Sequence, residues 1–167
     1  TSQLTVVFRL PERYQNRIAP GQSVQVQLDA LPGQRYQARV LAVDPLLDAN
    51  GADLNFTGHS HSYERSYLIA GHYGHSSTFS DSFKVDPGNG RIGEDGAYLK
   101  PVLGPDPFSG IVYTVAGNAG QVSGGDLDHP AMYFSTSTLG SVVLDIDDNR
   151  LDARFLDSTG AVLDSFT

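Results

Sequence analysis

Short alternating runs of apolar and polar residues dominate the chain, and helical periods are scarce. Leu4, Val6, Phe8 and Leu10 fall on one side of an opening period-two run. Val24, Val26 and Leu28 repeat the pattern, and so do Tyr36, Ala38, Val40 and Ala42 after a turn at Leu31-Pro32-Gly33-Gln34. Between the first two runs, Pro11-Glu12-Arg13-Tyr14 places proline at a first helical position with an acidic residue in the first turn. This predicts one short helix over residues 11–18, ended by Pro20-Gly21. A break follows from Asp44-Pro45 to about Gly51.

Further strands are predicted over residues 52–56, 67–70 and 110–116, the last apolar, β-branched and expected to be buried. Residues 76–109 read as a long irregular stretch, marked by Asp86-Pro87-Gly88-Asn89-Gly90 and by Pro101, Pro105 and Pro107. A second loop spans residues 117–129. The end reads as a hairpin, 140–146 and 151–156 around Asp147-Asp148-Asn149, followed by a strand over 161–166. The expected class is mainly β: sandwich-like or barrel-like sheets, one short helix and long loops. Its core is expected at Ile111, Val112, Val115, Val142, Val143, Leu144, Ile146 and Phe155.

Eighteen glycines and nine prolines in 167 residues support a turn-rich β protein. The net charge of −8 argues against nucleic acid and against an anionic membrane surface, both of which would repel the chain. With no cysteine, disulfides, thiolate zinc sites and cysteine nucleophiles are excluded. No apolar run approaches the roughly 20 residues of a spanning helix. No basic-then-apolar start reads as a signal peptide, so a mature or engineered product is expected.

Gly58-His59-Ser60-His61-Ser62-Tyr63-Glu64-Arg65 is the segment richest in chemistry. Two imidazoles at i, i+2 on extended backbone can point the same way and grip one metal ion if a third ligand is supplied. Candidates for that ligand are His72, His75, His129, Glu64 and Asp81. The segment resembles the last metal-binding motif of the calcineurin-like metallophosphoesterases, in particular the purple acid phosphatase branch. Gly71-His72-Tyr73-Gly74, the run 112–120, His129-Pro130-Ala131-Met132-Tyr133, Leu139-Gly140-Ser141 and the run 151–155 extend the resemblance over residues 52–167. It implies that His59 and His61 are remnant ligands of a binuclear centre in which two metals polarise a phosphoester and activate water. The remaining ligands of that family come from its N-terminal half, which is not found here, and Ala119 stands where a Gly-Asn-His motif would carry its histidine. No metal is therefore expected to be required; zinc, iron or another divalent ion would be the occupant if the remnant pair binds one.

Residues 1–51 resemble a different family, the β-barrel segment of periplasmic adaptor (membrane-fusion) proteins. The carriers are Val7-Phe8-Arg9-Leu10-Pro11-Glu12-Arg13-Tyr14, Pro20-Gly21-Gln22, Asp29-Ala30-Leu31-Pro32-Gly33 and Val43-Asp44-Pro45. In that family the segment is structural and contributes to assembly. Two partial resemblances with a seam near residues 50–53 imply a chimera. It has a first segment over 1–51, a second over 52–167, possibly one merged domain, and no complete active site. The alternatives are a residual metal-dependent phosphoesterase and a periplasmic adaptor-like assembly module. Both resembled families are extracytoplasmic, which leaves the address of a recombined chain open.

Other features read as structure. His72 and His75 flank a turn. Tyr63, Glu64 and Arg65 are expected to orient the histidine loop or to pair with one another. Asp145-Ile146-Asp147-Asp148-Asn149 imitates a calcium loop, but Arg150 and Leu156 occupy the glycine and glutamate positions, so a hairpin turn is expected. Asn55-Phe56-Thr57 is a formal glycosylation sequon inside a predicted strand. No Gly-x-Ser-x-Gly nucleophile signature or phosphate-cradling loop is present. Half a sheet exposes unpaired edges, so a homo-oligomer, dimeric or strand-swapped, is expected.

Overall fold

The structure, a computed structural model, describes residues 21–27, 33, 35–40, 45–123 and 125–167. The helix expected over 11–18 and the strand expected over 4–10 lie outside the described residues. Among the described residues the fold is mainly β, with one short α-helix, two single-turn 3-10 helices and long connections. The chain forms two compact units: residues 1–44 with 73–75, and residues 45–72 with 76–167.

In the first unit, β1 (Ser23–Gln27) and β2 (Arg35–Arg39) form an antiparallel two-stranded sheet with Val24 opposite Ala38 and Val26 opposite Tyr36. These are two of the alternating runs, and Gly33 in the turn between them has φ 88°.

The second unit opens with α1 (Pro45–Ala49), where the sequence reading placed only a break. Proline at the first helical position suits this start, because its missing N–H is unneeded there. The helix ends at Gly51, whose φ of 64° favours glycine and whose N–H donates to the Asp48 carbonyl. A Cβ at Gly51 would lie 2.3 Å from the Asp106 backbone nitrogen, so the close approach also requires glycine.

Five strands make the larger sheet: β3 (Leu54–Thr57), β4 (Tyr63–Ile69), β5 (Lys84–Asp86), β6 (Ile111–Ala116) and β7 (Met132–Thr136). β3 runs parallel to β6, β6 pairs antiparallel with β4, and β5 and β7 both pair with β4. The smaller sheet, ordered β10–β9–β8, consists of β8 (Gly140–Asp147), β9 (Arg150–Asp157) and β10 (Val162–Phe166). The hairpin turn is as expected, and Asp148 adopts the left-handed conformation that aspartate tolerates in turns.

A bulge in β4 decides how the two sheets meet. Arg65 lies opposite Thr114 and Leu68 opposite Val112, so β4 spends one residue more than β6 over that interval. Arg65 and Leu68, which simple alternation would set on opposite faces, therefore share the face that carries Tyr63. The Ser66 hydroxyl accepts the Tyr113 N–H at 2.8 Å, satisfying a ladder donor at the irregularity. Leu68 and Val112 from the larger sheet pack with Ala153 and Phe166 from the smaller one, with Leu54, Tyr98 and Leu151 around them.

The expected core needs correction on β8. Ile111, Val112 and Phe155 are buried, but Val143, Leu144 and Ile146 are 41, 38 and 68% exposed. β8 ends its sheet, and the larger sheet does not cover its second half. Among the described residues no helix is long and apolar enough to cross a membrane.

Candidate functional site

The histidine motif occupies the connection between β3 and β4 and runs on into β4. His59 is exposed and holds φ 75°, a left-handed conformation uncommon for a residue with a Cβ. His61 is half-buried. The loop backbone is fixed from the β6–β7 connection: Gly117 N–H donates to the Ser62 carbonyl at 3.2 Å, and Ser123 N–H donates to the His61 carbonyl at 3.1 Å. A Cβ on Gly117 would stand 2.0 Å from the Ser60 carbonyl oxygen, so the approach requires glycine. The Ser62 hydroxyl donates to Glu64 Oε1 at 2.7 Å and lies 3.0 Å from the Ser60 hydroxyl. Glu64 thus orients the histidine loop, as expected.

Arg65 and Tyr63 do not turn to the histidine loop; they meet each other, the second of the two roles expected for them, at a shared carboxylate. Both reach across the sheets to Asp164 on β10. Arg65 Nε donates to Asp164 Oδ2 at 2.6 Å and Arg65 Nη2 to Oδ1 at 2.8 Å, a bidentate pair whose side chains are both 0% exposed. The Tyr63 hydroxyl donates to Oδ2 at 2.9 Å, and Arg91 Nη2 donates to Oδ1 at 2.9 Å. The remaining Arg65 amino group donates to the Asn89 carbonyl and to the Tyr98 hydroxyl, which itself donates to the Gly88 carbonyl. The Arg65 guanidinium lies 4.6 Å from the Tyr133 ring centre and 5.0 Å from that of Phe166. Arg65 thus joins the two sheets through Asp164 and ties the loop residues Asn89 and Tyr98 to the same buried charge.

Burial alone would raise the Asp164 carboxyl. Its hydrogen bonds to Arg65 and the Arg65 charge, with help from Arg91 and Tyr63, outweigh burial and hold it below the ordinary carboxylate range. Burial, then the Asp164 charge, push the Tyr63 phenol upward. Burial likewise pushes Tyr98 up to about 12.

A folded pKa above the unfolded value of about 10 stabilises the fold below pH 10, and that stability drains away as the pH rises from 10 towards 12. At the acid end the lowered Asp164 contributes above its unfolded pKa of about 3.9 and is lost only as the pH falls below it. Denaturant midpoints measured against pH should therefore fall above pH 10. Tyr98→Phe should flatten part of that fall; an unchanged slope would contradict the assignment.

The other expected ligands have partners of their own. His72 Nε2 lies 3.0 Å from the Thr78 hydroxyl, and its ring meets Phe79 and Phe83 edge-on. His129 Nδ1 accepts the Ala131 N–H at 3.2 Å. Asp81, itself exposed, forms an ion pair with the largely covered Lys84. His75 is exposed. Among the described residues no three His, Asp or Glu side chains are grouped so as to hold a metal ion. Two imidazoles fall short of the donor set of a closed or binuclear metal site. A groove of about 380 Å³ opens at Arg91, Arg150 and Arg154, and contains neither His59 nor His61. Each of its arginines is already paired with a carboxylate.

Comparison with known proteins matches the two ends of the chain differently. Residues 4–55 match the family model described as the CusB-like, beta-barrel domain, less than a third of the chain. No curated protein matches. A purple acid phosphatase isolated from yellow lupin (Lupinus luteus) seeds is structurally similar with a TM-score of 0.49 and 19% identity. The similarity covers 73% of this chain and 18% of the phosphatase chain, so this chain spans less than a fifth of that protein.

Proposed function

We propose that this chain is a recombined β protein in which an adaptor-type barrel segment precedes a phosphatase-type segment. In this reading its His-x-His loop is a remnant of a metal site, not a working one. The observation that supports this reading is the use made of the motif. Its Tyr63 and Arg65 are committed to Asp164 across the sheets, and its Ser62 and Glu64 to the loop itself. His59 stands exposed at the loop tip. The family match ends at residue 55, just before the motif begins, which supports two ancestries on either side of it. The motif then persists because it staples the sheets, and the histidines persist with it.

The test is hydrolysis of an aryl phosphate with and without added zinc, iron or manganese. This reading expects no turnover above the metal-only background, and none of it sensitive to His59→Ala or His61→Ala. Metal-dependent turnover abolished by either substitution would instead establish a residual phosphoesterase that found its missing ligands elsewhere.

A further inference from the structure

Strand β8 ends the smaller sheet, so its outer row of backbone donors and acceptors faces no described strand. Its even-numbered residues lie in the row that forms the core, since Val142 is opposite Phe155, Leu144 opposite Ala153 and Ile146 opposite Leu151. Yet Leu144 and Ile146 are 38 and 68% exposed. An edge that is long, apolar on its inward face and without proline or lysine is what soluble proteins ordinarily avoid. β8 has eight residues and no such device except Asp145 and Asp147.

We propose that β8 is a self-association edge, onto which β8 of a second copy pairs antiparallel about a two-fold axis at Leu144. The register follows from the side chains. With the axis at Leu144, the inward row becomes Val142 opposite the partner's Ile146, Leu144 opposite the partner's Leu144, and Ile146 opposite the partner's Val142. The apolar row continues unbroken across the junction. On the outward row Val143 faces the partner's Asp145 and Ser141 faces the partner's Asp147, so no carboxylate faces another. Val143 is itself opposite Arg154 on β9, which already pairs with Asp145 of its own chain. The partner's Asp145 therefore joins a cross-strand row containing that arginine. Moving the axis one residue towards the C-terminus sets Asp145 against Asp145. Moving it one residue the other way sets Ile146 opposite Gly140, so the inward row loses an apolar pair while Val143 meets Val143 on the exposed outward row. Only this register sets all three inward apolar residues of β8 against apolar partners, and a second copy of this chain is the occupant that satisfies it.

Sedimentation or light scattering across a concentration series tests the association. A dimer is expected, strengthened as salt rises from about 0.01 to 0.15 M, because each copy carries a net charge of −8. Ile146→Lys leaves the monomer folded, since the residue is mostly exposed. It weakens association about tenfold or more, because it enters the two-fold interface twice. The chain has no cysteine, so the register can be read by cross-linking. Directly opposed residues lie within disulfide reach, whereas residues two positions either side of the axis are separated by roughly 13 Å. Leu144→Cys should therefore form an oxidised dimer readily and Ile146→Cys should not. A monomer at all concentrations overturns the proposal. So does a dimer indifferent to Ile146→Lys, which would have some other surface as its interface, or Ile146→Cys cross-linking as fast as Leu144→Cys.

Discussion

Asp164→Ala is expected to cost about 3–5 kcal/mol, the usual penalty for stripping one partner from a buried ion pair. The substitution leaves the fully buried Arg65 without its bidentate acceptor and removes the acceptor of the Tyr63 hydroxyl. A typical domain has only about 5–15 kcal/mol in all, so much of the unit's stability is at stake. Asp164→Asn keeps the shape and one acceptor and should lose less. Arg91→Ala should cost about 1 kcal/mol or less, because Arg91 is partly exposed and Arg65 remains on the carboxylate. Replacing both partners, as Arg65→Met with Asp164→Leu, should recover most of the loss, since no buried charge is then left alone. Denaturant midpoints decide the order. Asp164→Ala within about 1 kcal/mol of the parent would mean that the lock does not join the sheets.

Phe155→Ala has an effect of comparable size by another route. The Phe155 ring is 0% exposed and stacks on Tyr63 with centroids 4.1 Å apart and planes 5° from parallel. The ring also closes against Gly140, where a Cβ would come within 2.6 Å of it. Truncation removes a buried aromatic, opens a cavity between two sheets that cannot collapse freely, and costs about 3–5 kcal/mol. It also loosens the Tyr63 ring whose hydroxyl meets Asp164, so the two losses are coupled and a double variant should not show their sum. Ile146→Ala, at the uncovered end of β8, is the matched control and should stay within about 0.5 kcal/mol. Thermal or denaturant unfolding of the two variants separates a packed position from an apolar one that merely looks like core in sequence.

That contrast shows what the sequence could and could not disclose. Strands β1, β2, β3, β6, β8, β9 and β10 were legible because alternation or β-branched runs mark extended backbone whatever they pack against. Burial was legible only where a strand is covered. Val142, Leu144 and Ile146 alternate as a core row should, but the sheet opposite ends before β8 does. β4 was read only in its second half, because its bulge breaks the period between Arg65 and Leu68 and because its first half was read as metal chemistry. β7 gave no alternation, and all five of its residues are half-buried.

The lock itself joins residues 99 positions apart, beyond the reach of any local pattern. A faint signal existed. Asp164 shares the parity of the buried Phe166 on β10, and Arg65 shares that of the buried Tyr63 on β4. A charge on the inward side of each of two strands asks for a partner of opposite sign. The histidine motif was legible as a motif, and its Glu64 orients the loop as expected. The commitment of Arg65 and Tyr63 to the opposite sheet, instead of to that loop, was not.

We propose that the fold keeps the motif for its staple and not for its metal. Elemental analysis of protein purified without affinity metals tests this most directly. Well under one metal ion per chain is expected, unchanged by His59→Ala or His61→Ala. One or two ions per chain that survive dialysis and disappear with either substitution would contradict it.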